Sequence, residues 1–113
     1  MGEKGTRMTG DAPVTFDRIA DALGHQVRRR VLVGLLEKNP QDVRETIVAD
    51  GGSDGATTEV ELVHVHLPKL EDLGYISWDK DSGTLLKGNR WDEIEPTLRL
   101  LHTNRAAIPA DTF

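Results

Sequence analysis

Two of the four histidines in this chain stand two positions apart in the stretch LVHVHLPKLEDLGYI, Leu62 to Ile76. On a helix, His64 and His66 could read DNA, bind a metal ion or decorate an ordinary packing helix. Residues two apart point about 200° away from each other, whereas a zinc pair needs a spacing of three or four, so the spacing predicts that these two do not share one ion. The absence of cysteine excludes disulfides, thiolate nucleophiles and cysteine-ligated zinc. The run DGGSDG lacks the ligand spacing of a calcium loop, no glycine loop cradles a phosphate ahead of a helix, and no nucleophile elbow is present. The sequence therefore predicts no catalytic residues, no cofactor and no metal, and a protein that is not an enzyme. Arg28, Arg29 and Arg30 spread over about 200° of a helix, so they are expected to tie helix ends or pair with Asp17, Asp21 or Glu37 rather than form one phosphate-binding surface.

The element carrying the histidines decides which way each one faces. Stepping about 100° per residue from Glu59 puts Val60, Val63, Leu67 and Leu70 inside, flanked by Leu62, His66 and Leu73. Glu61, His64, Val65, Pro68, Lys69 and Asp72 fall outside. His66 is thus expected to be semi-buried and hydrogen-bonded, while His64 and Lys69 are the outward-facing donors. Thr58 and Glu61 form a capping-box pattern, Gly74 stops the helix, and Pro68 frees the carbonyl of His64, which predicts a bend.

Around this helix the pattern predicts a mainly α domain with a small β-hairpin. Phe16, Ile19, Ala20 and Leu23 mark a first helix capped at Thr15 and ended by Gly24; Val27, Val31, Leu32, Leu35 and Leu36 mark a second, stopped by Lys38-Asn39-Pro40. A short third helix is expected with Asn39 as cap, Pro40 in its first turn, and Val43 and Ile47 inward. The glycine-rich loop ADGGSDGAT follows. YISW and TLLK read as strands around the turn DKDSG, and Trp91, Ile94, Leu98 and Leu101 as a last helix whose start is disturbed by Pro96. The division is a disordered tail over 1–14, a main unit over 15–90, a helix over 91–105 and a flexible C-terminus over 106–113. Phe16, Ile19, Leu98 and Leu101 form an apolar stripe on the terminal helices, expected to be covered by a second copy.

At 113 residues the chain has room for one core. Nothing in it looks like a secretory signal or a spanning segment, so a cytoplasmic protein without membrane association is expected. Its net charge of −5 speaks against a large basic nucleic-acid footprint, but aspartate outnumbers glutamate 11 to 8 and arginine outnumbers lysine 9 to 5, as on a halophile's surface. In molar salt the attraction of basic residues for phosphate is screened, so an acidic DNA binder loses less there.

The string HVHLPKLEDLGYI is similar to the recognition helix of ArsR-type winged-helix repressors, with His66, Leu67, Leu70 and Gly74 at the pattern positions. DALGHQVRRRVLVGLL resembles that family's second helix and its lead-in. Closer still, the chain resembles halophilic-archaeal, transcriptional-regulator-like winged-helix domains in which a His-X-His-Leu-Pro-Lys-Leu string recurs. The resemblance implies a winged helix-turn-helix and a homodimeric transcriptional regulator of double-stranded DNA. The residues expected at the DNA are Thr57, Thr58, His64, Val65, Pro68, Lys69, Lys80 and Lys87. The family's metal-sensing patterns are not matched, since Ile94 stands where a histidine would follow Asp92. His64 replaces a family serine, and Glu59 and Glu61 put negative charge beside it. A protein-interaction module that keeps the fold without contacting DNA is the alternative, and a small-ligand-gated regulator a further one.

Overall fold

The computed structural model describes residues 14–49 and 59–113, so the tail before Val14 and the expected DNA contacts Thr57 and Thr58 lie outside the described residues. Helix α1, Thr15–Leu23, buries Ile19 and Ala22 and packs Leu23 beside them. This face is turned from the expected one, because Phe16 and Ala20 point to solvent. Helix α2, Gln26–Glu37, buries Val31, Leu32 and Leu35 with Val27 and Leu36 alongside, as its spacing predicts. Its cap is His25, whose Nδ1 accepts from the Val27 amide at 3.1 Å. The arginines do tie helix ends. Arg28 donates to the Asp21 carbonyl at 2.9 and 3.2 Å, and Arg29 to the Leu23 carbonyl at 2.6 Å, adding donors to the carbonyls of the last turn of α1.

After α2 the chain does not begin a helix at Pro40. Strand β1, Gln41–Asp42, comes first, and helix α3, Val43–Ala49, follows with Asp42 rather than Asn39 at its start: Asp42 Oδ1 accepts from the Arg44 amide at 2.7 Å. Asn39 instead uses its Oδ1 to accept from the Lys87 amide at 3.2 Å.

The quoted helix, α4, opens over residues 59–61, widens into a π-turn over Leu62–His66 and continues as an α-helix over Leu67–Leu73. Within the turn the Leu67 amide reaches back five residues to the Leu62 carbonyl. Pro68 has no amide to donate and its ring crowds the carbonyl four residues back. Widening the turn relieves both problems, so the expected bend takes the form of one inserted residue. That insertion shifts the buried face: Leu62, His66, Leu67 and Leu70 are inside, Val63 is half-buried, and Val60, expected inside, is 58% exposed. Gly74, at φ 88°, ends the helix as predicted, since a left-handed residue suits glycine.

Strands β2, Ile76–Asp79, and β3, Thr84–Lys87, form the hairpin, with Gly83 at φ 73° in its turn. Strand β1 pairs with β3 through Gln41–Leu85 and Asp42–Thr84, giving a three-stranded antiparallel sheet in the order β1-β3-β2. Helix α5, Trp91–Thr103, buries Trp91, Ile94 and Leu98 and carries Pro96 within a continuous helix, not at a disturbed start. Residues 106–113, expected to be flexible, instead close in short 3-10 turns, Arg105–Ala107 and Ala110–Thr112. Arg29 Nε donates to the Thr112 carbonyl at 2.6 Å and Gln26 to the Asp111 carbonyl at 2.8 Å, tying this end to α2. The protein is thus mainly helical with a small antiparallel sheet.

The apolar stripe expected at a dimer interface is split by this packing. Ile19 and Leu98 belong to the protein's own core, at 6% and 0% exposure, and are not available to a second copy. Phe16 is exposed and Leu101 half-buried. No helix among the described residues is long and apolar enough to cross a membrane.

Candidate functional site

The first half of α4 presents Glu59, Val60, Glu61, His64 and Val65 to solvent. Two aliphatic side chains in that set are exposed, Val65 on the outer face that its spacing predicts and Val60 because the π-turn shifts the buried face. Beside them lies a groove lined by Arg44, Glu59, Val63, Trp78, Lys80 and Ser82, which joins the start of α3, the start of α4 and the tip of the hairpin. Charge in the groove is mixed. Arg44 pairs with Asp42 at 3.4 Å, and that bond, together with the Arg44 amide, holds the Asp42 carboxyl below its usual range.

The expected contact residues separate on this frame. His64 and Val65 are exposed on the outer face as expected, and Pro68 is half-buried. Lys69 turns toward α1, where its Nζ sits 2.6 Å from Asp21 Oδ2. Its ammonium therefore braces α4 against α1 instead of standing clear for phosphate. Lys80, at the hairpin tip, lies over the Trp78 ring at 5.0 Å with Nζ 3.8 Å from Glu71. Lys87, at the base of the hairpin opposite Ile76, lies over the Trp91 ring at 5.2 Å. A four-residue strand, roughly 10 Å or more, separates the two lysines, so they do not form one basic patch.

His66 is buried at 3% exposure, as the sequence predicts. Arg28 Nη1 lies 3.2 Å from its Nδ1, and because a guanidinium only donates, Nδ1 accepts. The His66 ring packs on that of His25 with centroids 4.2 Å apart and planes tilted by 41°. His25 escaped sequence reasoning because a helix cap 41 positions upstream carries no local signal of this neighbour. With Glu61 the two histidines bring one ligating atom each to within 4.8 Å of one another, a grouping unlike the His64–His66 pair that the spacing ruled out.

Among the described residues, the most perturbed carboxylate lies away from this face. Arg18 grips Glu93 through Nε–Oε1 at 3.0 Å and Nη2–Oε2 at 2.7 Å, and the Tyr75 hydroxyl donates to Oε1 at 2.5 Å. The Arg18 bond first, and the Tyr75 bond next, hold the Glu93 carboxyl down to about 2, while burial and the adjacent carboxylate push the Tyr75 phenol upward. This cluster locks α1 to α5 and to the start of β2.

Residues 20–86, from α1 to strand β3, match the family described as "Domain of unknown function (DUF7344)", and the chain belongs to that family. No curated protein and no solved structure matches it.

Proposed function

We propose that this protein is a DNA-binding transcriptional regulator of the winged helix-turn-helix kind, working as a homodimer, with α4 entering the major groove and the β2–β3 hairpin as the wing. The observation that carries this reading is the exposed first half of α4 beside the Lys80-tipped hairpin. His64 offers a donor or acceptor to a base edge there and Val65 an apolar surface suited to a thymine methyl. Lys69 contributes little to affinity, being held by Asp21. Of the expected stripe, Phe16 and the half-buried Leu101 remain available to a second copy, and Leu100, 64% exposed, adds to them.

A mobility shift in potassium chloride of about molar strength tests this, with random genomic fragments as competitor. Retained preference for particular fragments supports the reading, because screening removes most non-specific attraction at that strength. A folded protein that shows no preference at any salt favours the second reading, a protein-interaction module. That reading draws on the same half of α4, where Val60 and Val65 stand exposed along with Glu59 and Glu61.

A further inference from the structure

We propose that His25, Glu61 and His66 form a binding site for a divalent transition-metal ion of the zinc type. Two imidazoles and one carboxylate are a donor set that such an ion accepts, with water completing a tetrahedron. The three ligating atoms lie within 4.8 Å of one another. In a tetrahedral site with bonds near 2.0–2.1 Å, neighbouring ligand atoms stand about 3.4 Å apart. The side chains must therefore close by up to about 1.4 Å, and two of the three, His25 and Glu61, are on exposed residues. His66, buried in α4, is the fixed anchor.

The π-turn makes the site possible. Glu61 and His66 are five residues apart, which in a regular α-helix would separate them by about 140°. Across Leu62–His66 the backbone bonds run five residues back, so residues five apart fall on one face. Such turns recur at functional sites in other proteins, and here the one present delivers a carboxylate to a histidine while α2 supplies the second ring from its cap.

Ion binding is coupled to two bonds of the metal-free protein. Both rings accept at Nδ1, His25 from the Val27 amide and His66 from Arg28. A neutral ring accepting at Nδ1 carries its proton on Nε2. An ion taking Nε2 would send that proton to Nδ1, and one taking Nδ1 would compete with the donor directly; in either case the Val27 amide and the Arg28 guanidinium must give way. The guanidinium also repels the ion. Arg28 therefore opposes loading, and its removal should tighten the site.

The test uses the full chain, stripped with a chelator and titrated with zinc chloride by calorimetry and with cobalt chloride by its visible absorption, which intensifies in a tetrahedral nitrogen and oxygen site. His25→Ala and Glu61→Gln, both at exposed positions, should each weaken binding at least about tenfold. His64→Ala, two residues from the site on the other side of α4, should leave it unchanged, and Arg28→Gln should strengthen it. At equal zinc concentration the melting temperature should rise more for the unaltered chain than for Glu61→Gln, and magnesium should raise neither. Equal zinc affinity in the unaltered chain, His25→Ala and Glu61→Gln, or loss of binding in His64→Ala, overturns the proposal.

Discussion

Replacing Tyr75 by phenylalanine keeps the ring in the core and removes one hydrogen bond. The residue is fully buried, its hydroxyl donates to Glu93 Oε1 at 2.5 Å, and Arg18 holds both oxygens of the same carboxylate. A hydrogen bond to a charged acceptor contributes about 1.5–3 kcal/mol, and the apolar packing of the ring is retained, so Tyr75→Phe should cost roughly 2 kcal/mol. For a domain of this size that is a fall of roughly 8 °C in Tm. The sign of the pH dependence follows from Glu93, whose carboxyl is lowered from 4.5 to about 2. A depressed carboxylate contributes its full stability above its unfolded value and loses it as pH falls toward the folded one. The gap between the two proteins should accordingly be full at pH 6 and shrink between about 4.5 and 2. Urea denaturation followed by circular dichroism at pH 6 and pH 3 measures it. Equal stability at pH 6, or a gap of the same size at both pH values, refutes the role given to this cluster.

Three further expectations follow from the packing and the charge. Leu98→Ala should cost about 3 kcal/mol as a core cavity and leave the assembly state of the folded protein unchanged in sedimentation, because the side chain is wholly inside the protein. Gly88→Ala should cost about 3 kcal/mol or prevent folding, since an added Cβ would lie 2.5 Å from the Gly74 carbonyl oxygen and 2.7 Å from the Ile76 nitrogen, both backbone atoms with no freedom to yield. Tm should rise with potassium chloride, because a net charge of −5 repels itself when unscreened; equal values at about 0.1 M and 2 M would remove the halophile argument.

Helix α2, the hairpin and the stops at Gly74 and Gly83 were legible because their signals are local: an apolar period, a breaker, a residue suited to positive φ. The faces of α1 and α4 were not. Around α1, Phe16 and Ala22 differ little in sequence pattern, and only the packing against α2 and α5 selects Ala22 for the core. Around α4, Pro68 announced a disturbance but not its form, and a single inserted residue moved Val60 outward and brought Glu61 beside His66. The pairing of β1 with β3 is likewise a non-local event, which converted an expected helix start at Pro40 into a strand. Of the candidate interface, the outward direction of His64 was readable from spacing, whereas the diversion of Lys69 to Asp21 depends on how α1 lies across α4.

Under the proposed function, α4 reads DNA through His64. The most direct measurement is a selection of bound duplexes from a random pool at about molar potassium chloride, followed by affinities of the unaltered protein, His64→Ala and Lys69→Ala for the selected and an unrelated duplex. A DNA-reading α4 should yield a selected sequence, a loss of about 1–3 kcal/mol of discrimination in His64→Ala, and little change in Lys69→Ala, whose ammonium is already engaged by Asp21. A folded protein that enriches no sequence, or a His64→Ala variant that discriminates as well as the unaltered chain, would contradict it.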